Sequence, residues 1–178
     1  VNGGADLIII ETAQDILEVK AAIFGARAAF EETGKKLPIQ ISVSLLPNGG
    51  KMLLGTDISA VLTTLEALKV DVIGLNCSTG PEDMRDAIRY LGENATTPVH
   101  CIPNAGLPLQ GPDGETIFPE KPEPLAASLG EFVERFGVGI VGGCCGTTPE
   151  HIKAIADRVR DLKPRPRPGK GDELLLSS

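Results

Sequence analysis

The feature that most constrains the fold is an alternation of short apolar segments with helical segments, repeated five times along the chain. The apolar segments are rich in β-branched residues, and the segments between them show the three-to-four spacing of a helix. The predicted strands cover 5–12, 38–46, 70–77, 98–103 and 138–142, and the predicted helices 14–33, 57–68, 81–91, 125–136 and 149–162. Because apolar strands with intervening helices are buried on both faces, this alternation predicts a parallel α/β sheet with helical crossovers.

Two architectures contain such consecutive βα units. One is an open, doubly wound sheet, and the other is part of a (β/α)8 TIM barrel, whose full length is about 250 residues. Spacing alone does not separate the two. The strands are short and buried, and no Gly-x-Gly-x-x-Gly turn follows the first strand, which favours the barrel. We therefore expect one domain at 1–162, a partial (β/α)8 barrel with outer helices.

The sequence changes character after residue 162. KPRPRPGKGDELLLSS has no helical periodicity, and we interpret 163–178 as a Pro-rich linker toward a further domain downstream, with its basic cluster at 163–170 solvated. The formal net charge of −7 and the pI near 4.9 make a nucleic-acid partner unexpected. No apolar run approaches the ~20 residues of a membrane span, so no membrane partner is expected either.

The four cysteines are Cys77, Cys101, Cys144 and Cys145. Adjacent cysteines rarely bond to each other, and a long α/β chain is a poor disulfide scaffold, so we expect reduced thiols in the cytoplasm. Cys77 ends the third predicted strand, and the cysteine pair follows the fifth. Alternate barrel strands contribute to one interior layer, so these three thiols can converge, provided that the glycines around the pair break the fifth strand.

Three converging thiolates favour zinc, which takes soft sulfur ligands in a tetrahedral arrangement. A set of three protein ligands leaves the fourth position open, which is the catalytic pattern rather than the structural one. Cys101 lies in mid-strand, and we interpret it as core packing. His100 and His151 are weak candidates for metal ligands, while Asn76 should face away from Cys77 and pack or hydrogen bond behind the ligands.

Two motifs carry a family resemblance, GLNCSTGPEDM around Cys77 and VGGCCGTTPEHI around Cys144 and Cys145. Together with ETAQDILEVKAA and PNAGLP, they resemble the homocysteine S-methyltransferases over about residues 1–162, and match the last five βα units of that family's eight-unit barrel. Within the family, the chain particularly resembles the homocysteine-binding domain of cobalamin-dependent methionine synthases. There a linker similar to 163–178 leads to a folate-binding barrel.

The resemblance implies a zinc-dependent methyltransferase that activates homocysteine as a thiolate for methylation to methionine. It implies Zn²⁺ held by Cys77, Cys144 and Cys145, with the homocysteine sulfur as the fourth ligand. It also implies that Glu11 binds the amino-acid part of homocysteine, and that Asn104 can approach the zinc when substrate is absent. From the strand pattern, Ser42 and Ser44 share one face of the second strand, where they either line the substrate pocket or fill the barrel.

Alternatives remain open at this stage. The methyl donor could be methylcobalamin, presented with methyltetrahydrofolate by another domain, or the small molecules betaine or S-methylmethionine. A phosphate-binding barrel enzyme is a rival of another class, because Gly-rich loops after the last barrel strands commonly cradle phosphate. An inactive fragment is a further rival: five units alone would expose two unpaired edge strands, and we expect the 178 residues alone to be inactive.

Overall fold

The computed structural model describes residues 1–47 and 50–169 and has one main sheet of five parallel strands. The first four strands are β1 (Ile8–Ala13), β2 (Ile39–Val43), β3 (Val72–Asn76) and β4 (Val99–Ile102). A small antiparallel hairpin of β5 (Leu109–Gln110) and β6 (Thr116–Ile117) precedes the fifth strand of the main sheet, β7 (Ile140–Val141). The helices are α1 (Ile16–Thr33), α2 (Ile58–Ala67), α3 (Pro81–Asn94), α4 (Pro122–Phe136) and α5 (Pro149–Val159).

The order of the strands separates the two architectures that the spacing left open. A doubly wound sheet reverses its strand order at a switch point, whereas here the order is β1-β2-β3-β4-β7, each strand pairing with the next one of the sheet. Right-handed crossovers then place the helices on one face, as they do in a barrel. The α/β fold is therefore a sector of a (β/α)8 barrel, as predicted.

One face of the sheet is apolar and packs against the helices. Its central residues are at most 1% exposed: Ile41, Val43, Ile73, Leu75, Val99 and Cys101. The Sγ atom of Cys101 lies 3.9 Å from the Sδ atom of Met84 in α3, which identifies this face as the one that contacts the helices. The prediction that Cys101 belongs to the core is confirmed, and burial raises the pKa of its thiol.

The opposite face carries buried polar side chains. Ser42, Gly74 and His100 lie at one level across β2, β3 and β4, and Asn76 follows on the same side of β3. A Cβ atom at Gly74 would lie 2.1 Å from the His100 carbonyl oxygen and 2.6 Å from its Cγ, so the glycine makes room for the imidazole. Such a row of buried polar groups fits the inward face of a barrel, where side chains fill the interior in layers.

The structure corrects the predicted connection at 104–124 in two places. That segment is not a plain loop, because the hairpin of β5 and β6 lies within it, closed by Gly111 N–H donating to the Glu115 carbonyl oxygen at 2.8 Å. Helix α4 begins at Pro122 rather than at 125, since proline fits the first turn of a helix, where its missing N–H is not needed.

The chain after α5 packs against the rest of the domain. Arg167 donates from its guanidinium to the carbonyl oxygens of Leu91 and Gly137, at the C-terminal ends of α3 and α4, and the Arg165 N–H donates to Val133 O at 3.3 Å. Residues 163–169 form no helix or strand. The rest of the predicted linker, 170–178, lies outside the described residues. Among the described helices, none has the length and apolar character needed to span a bilayer.

Candidate metal centre

Three cysteine thiols meet at the carboxyl ends of β3 and β7. The Sγ atom of Cys145 lies 3.7 Å from that of Cys77 and 3.9 Å from that of Cys144, and the three sulfurs all lie within 4.8 Å of one another. Two thiolates bound tetrahedrally to one zinc ion at ~2.3 Å would be about 3.8 Å apart. The spacing of these sulfurs therefore fits ligands of a single metal ion, and the three residues could hold one.

Cys77 reaches this point because the main chain turns sharply at the end of β3. Cys77 and Ser78 have φ angles of +61° and +67°, in the left-handed region. This region costs an L-residue roughly 1–2 kcal/mol. Hydrogen bonds hold the turn, since Cys77 N–H donates to Ile102 O at 3.1 Å and Thr79 N–H donates to Cys77 O at 2.8 Å. The side chain of Cys77 thus no longer follows the alternation of the strand.

The cysteine pair is held by the segment that follows β4. Cys144 N–H donates to Pro103 O at 2.8 Å, and Ala105 N–H donates to Cys145 O at 2.9 Å. The Oδ1 atom of Asn104 accepts a hydrogen bond from Cys145 N–H at 3.1 Å. Strand β7 ends before the pair, as expected from its glycines, so Cys144 and Cys145 escape the opposite orientations of neighbours on a strand.

The close approach of the thiols opposes the ionisation of Cys145. The hydrogen bond with Cys77 raises the pKa of the Cys145 thiol to about 11, and burial and the neighbouring Cys144 act in the same direction. A bound divalent cation reverses this balance, because a thiol that coordinates a metal is deprotonated. The donor set is soft, with three sulfurs, and it suits zinc better than the oxygen-seeking ions magnesium and calcium.

Asn76 lies directly behind this cluster and is only 2% exposed. Its Nδ2 atom is 4.0 Å from Cys144 Sγ and 2.8 Å from Thr12 Oγ1. Its Oδ1 atom accepts hydrogen bonds from Thr12 N–H at 3.0 Å and from Ser42 Oγ–H at 2.6 Å. These contacts agree with the prediction that Asn76 packs or hydrogen bonds behind the metal ligands.

The other predicted site residues, Glu11, Ser44 and Asn104, occupy different environments. Glu11 is exposed in the last part of β1. Ser44 is buried just after β2, and its hydroxyl donates to the Asn76 carbonyl oxygen at 2.8 Å. Asn104 is buried and contacts the main chain of Cys145, as described above. The substrate roles of Glu11 and Ser44 and the metal role of Asn104 stay predictions.

Neither histidine belongs to the cluster. His100 is fully buried on the inward face, with Nε2 at 2.8 Å from Ser42 Oγ. His151 caps α5: its Nδ1 accepts from Thr148 N–H at 3.1 Å and its Nε2 lies 3.0 Å from Glu120 O. Within 1–47 and 50–169, the three cysteines are the one group of three or more His, Cys, Asp or Glu side chains close enough to share a metal ion.

Two residues that lie near the site were not predicted from the sequence. Thr12, with a φ angle of +55°, is fastened to Asn76 by two hydrogen bonds. Phe118 lies over the turn of the cysteine pair, where a Cβ atom on Gly146 would be 2.2 Å from its Cγ. Gly146, with a φ angle of +77°, was the available signal for that contact, but a glycine does not reveal which side chain covers it.

The chain resembles curated proteins along nearly its whole length. Methionine synthase of Mycobacterium tuberculosis (strain ATCC 25618 / H37Rv) is 47% identical over 162 residues, which cover 91% of this chain and 13% of that protein. Methionine synthase of Mycobacterium leprae (strain TN) is 46% identical over 158 residues, covering 89% of this chain and 13% of that protein. The chain therefore matches only 13% of the length of either relative.

Solved structures resemble the same region. The homocysteine methyltransferase MmuM from Escherichia coli, in its apo form, superposes with a TM-score of 0.68 at 25% identity, over 88% of this chain and 51% of that one. Its oxidised form gives a TM-score of 0.66 over 88% of this chain and 47% of that one. A family model described as homocysteine S-methyltransferase matches residues 1–159. The chain belongs to the homocysteine S-methyltransferase family.

Proposed function

We propose that this chain provides the zinc site of an enzyme that methylates homocysteine to methionine. The observation that carries the proposal is the convergence of the Cys77, Cys144 and Cys145 sulfurs within 4.8 Å of one another. Three sulfur ligands leave one tetrahedral position free, which is where a substrate sulfur would bind. The proposal also accounts for the likeness to methionine synthases and to MmuM.

The chemistry needs a thiolate, because a free thiol with a pKa near 8.5 is mostly protonated at neutral pH and reacts poorly. Bound zinc would supply the positive charge that keeps the homocysteine sulfur deprotonated. Cys77, Cys144 and Cys145 would hold the metal that binds this sulfur. The negative charges of their three thiolates would weaken the Lewis acidity of the ion and so leave the substrate sulfur nucleophilic.

Three further residues belong to the proposed site. Glu11 presents an exposed carboxylate at the end of β1, which suits the ammonium group of an amino acid. Asn104, whose Oδ1 accepts from the Cys145 main chain, would be the residue that approaches the metal when substrate is absent. Ser44 acts indirectly, because its hydroxyl donates to the carbonyl oxygen of Asn76, the residue that precedes Cys77.

The methyl donor in this proposal is methylcobalamin, which another domain presents and methyltetrahydrofolate regenerates. The likeness to methionine synthases, together with a tail at 163–178 that is similar to the linker of cobalamin-dependent ones, supports this choice over betaine or S-methylmethionine. Cobalamin thus acts indirectly, through a partner domain. We place the enzyme in the cytoplasm, where thiols stay reduced and free to bind metal.

Zinc content tests the proposal. In the intact natural protein, we expect one tightly bound zinc, and Cys77→Ser or Cys145→Ser should lower zinc affinity by more than the roughly 10–100-fold that loss of an outer hydrogen-bond partner causes. Chelator competition followed by metal analysis measures this. Cys101→Ala is the matched control, because Cys101 is buried against α3 away from the cluster, and its zinc affinity should equal that of the wild type.

Two results would contradict the proposal. One is a Cys145→Ser variant that keeps its zinc with unchanged affinity. The other is a metal-free wild-type protein that binds sugar phosphates, which would support a phosphate-binding barrel enzyme instead.

A further inference from the structure

Asn76 is the junction of a hydrogen-bond chain that runs from the inward face of the sheet to the cysteine cluster. His100 Nε2 lies 2.8 Å from Ser42 Oγ, Ser42 Oγ lies 2.6 Å from Asn76 Oδ1, and Asn76 Nδ2 lies 4.0 Å from Cys144 Sγ. His100, Ser42 and Asn76 are each at most 2% exposed. Buried polar groups have few alternative partners, so each group in this series of hydrogen bonds can be identified as a donor or an acceptor.

The direction of each hydrogen bond follows in turn, starting from a main-chain N–H group. Thr12 N–H can only donate, and it donates to Asn76 Oδ1, which identifies that atom as the amide oxygen. Ser42 must then donate its own proton to the same oxygen and accept from His100 Nε2–H. Burial lowers the pKa of His100 to about 4, so the ring is neutral and carries its one proton on Nε2.

The amide of Asn76 is therefore held in one orientation. Two donors converge on Oδ1, and a flipped amide would set its NH₂ group against both of them. The Nδ2 group must face the other way, toward Thr12 Oγ1 and Cys144 Sγ. An N–H group aimed at a thiolate withdraws charge from the sulfur and fixes its direction, as outer hydrogen bonds do around bound metals.

The same amide holds the end of β1. Thr12 has a φ angle of +55°, which is a true outlier for a β-branched residue. Asn76 binds both the N–H and the hydroxyl of Thr12, which stabilises this strained conformation. Glu11 directly precedes Thr12, so one side chain contacts both the strand end that carries the exposed carboxylate and the sulfur of Cys144.

We propose that Asn76 is a positioning residue of the metal centre: its amide, oriented by Ser42 and His100, donates to the Cys144 thiolate and holds the end of β1 beside it. The inference rests on the proposed function, because it needs a metal on Cys144. It adds to that function that Ser42 and His100, on the inward face of the sheet, act through Asn76 on the charge and direction of the Cys144 sulfur.

The test compares Asn76→Asp with the wild type in the intact natural protein, prepared free of other coloured cofactors. Aspartate keeps the one oxygen that accepts from both Thr12 and Ser42, but it replaces the donor that faces sulfur with a second oxygen. We expect zinc affinity to fall about 10-fold or more. In the cobalt-substituted protein, the sulfur-to-metal charge-transfer band should move to longer wavelength, because the thiolate loses a hydrogen bond and faces a carboxylate oxygen instead. The variant Ser42→Ala shows the effect of the orientation without this added charge.

Ser42→Ala removes one of the two donors that orient the Asn76 amide and leaves the amide group that faces the sulfur in place. This variant keeps the inference falsifiable if Asn76→Asp does not fold. It should move the cobalt band in the same direction by a smaller amount. Thr63→Ala is the matched control, because it removes a hydroxyl that bonds to Ser59 O within α2, and its band and affinity should equal those of the wild type.

The outcomes separate this inference from the function on which it rests. If the wild type binds zinc through the three cysteines while Asn76→Asp and Ser42→Ala both match the control, the inference alone is overturned. If the wild type binds no zinc, the proposed function and the inference are both wrong.

Discussion

At the residue scale, three of the four strained main-chain conformations of the described residues lie around the cysteine cluster, and the fourth, at Lys69, follows α2. Four non-glycine residues have positive φ angles in the described part of the chain: Thr12, Lys69, Cys77 and Ser78. Cys77 and Ser78 form the turn that brings one sulfur to the cluster, and Thr12 is bonded to Asn76 behind it. Such conformations cost of order 1–3 kcal/mol each and persist where surrounding bonds impose them, which is typical of functional sites.

His100 should make the stability of the fold depend on pH. Its pKa is lowered to about 4 by burial, whereas an unfolded histidine titrates near 6.5. Between these values the unfolded chain binds more protons, so the free energy of unfolding falls as the pH falls from about 6.5 to about 4. His100→Gln keeps an N–H for Ser42 but cannot titrate, and its stability loss between pH 7 and pH 4 should be smaller by about 3 kcal/mol.

Urea unfolding of both proteins at pH 7 and pH 4 measures this difference. Carboxylates contribute equally to the two proteins, so the comparison isolates the imidazole. An identical pH dependence in the wild type and in His100→Gln would show that His100 does not stay neutral in the folded state.

The sequence predicted which cysteines converge but not the geometry that brings them together. Cys77 and the pair Cys144–Cys145 follow alternate predicted strands, and strand ends meet at one edge of a parallel sheet, so their proximity could be predicted. The left-handed turn at Cys77 and Ser78 could not, because local preference opposes it. It depends on the bond from Cys77 N–H to Ile102 O, which joins residues from two strands.

At the element scale, the strands of the main sheet and the amphipathic helices were predictable, whereas the two short strands of the hairpin were not. β2 and β3 are buried along their length and alternate with helices, so composition and periodicity located them. β5 and β6 have two exposed residues each, which leaves no periodicity to detect. β7 is reduced to Ile140–Val141 because the glycines after it end the strand early.

The segment 163–169 should stabilise the domain through Arg167. Its guanidinium donates to Leu91 O and Gly137 O at the C-terminal ends of α3 and α4, where carbonyls lack helical partners and carry partial negative charge. Hydrogen bonds of charged groups contribute roughly 1.5–3 kcal/mol, so Arg167→Ala should lower the free energy of unfolding by about 2 kcal/mol. Chemical denaturation of the variant measures the change.

Arg165→Ala is the matched control for Arg167→Ala. Arg165 lies in the same segment, but its side chain is exposed and makes one long bond of 3.3 Å to Arg135 O. An exposed contact of this kind contributes little, and we expect a change within about 0.5 kcal/mol. If both variants have the stability of the wild type, the contacts of 163–169 do not hold it to the helices.

At the scale of the whole molecule, the sheet of the described residues ends in two open edges. β1 and β7 are the outer strands, and Leu7, Ile9 and Ile140 at these edges are 46%, 39% and 41% exposed. The chain aligns with 51% of the length of apo MmuM. Because a barrel has no free edges when it closes, the apolar edge residues and the inward polar face are typical of a sector that packs against further βα units.

The 178 residues produced alone should therefore associate and should not transfer methyl groups at a robust rate. Unpaired edge strands offer N–H and C=O groups to another chain, and Ile9 adds apolar surface at such an edge. Light scattering after size exclusion should show oligomers, and an assay with homocysteine and methylcobalamin should show no robust turnover.

Ile9→Lys should reduce the association, since charge on an edge strand blocks pairing, whereas Leu17→Lys, on the exposed surface of α1, should not. A monomeric chain with robust methyl transfer would mean that this sector holds a complete substrate site by itself.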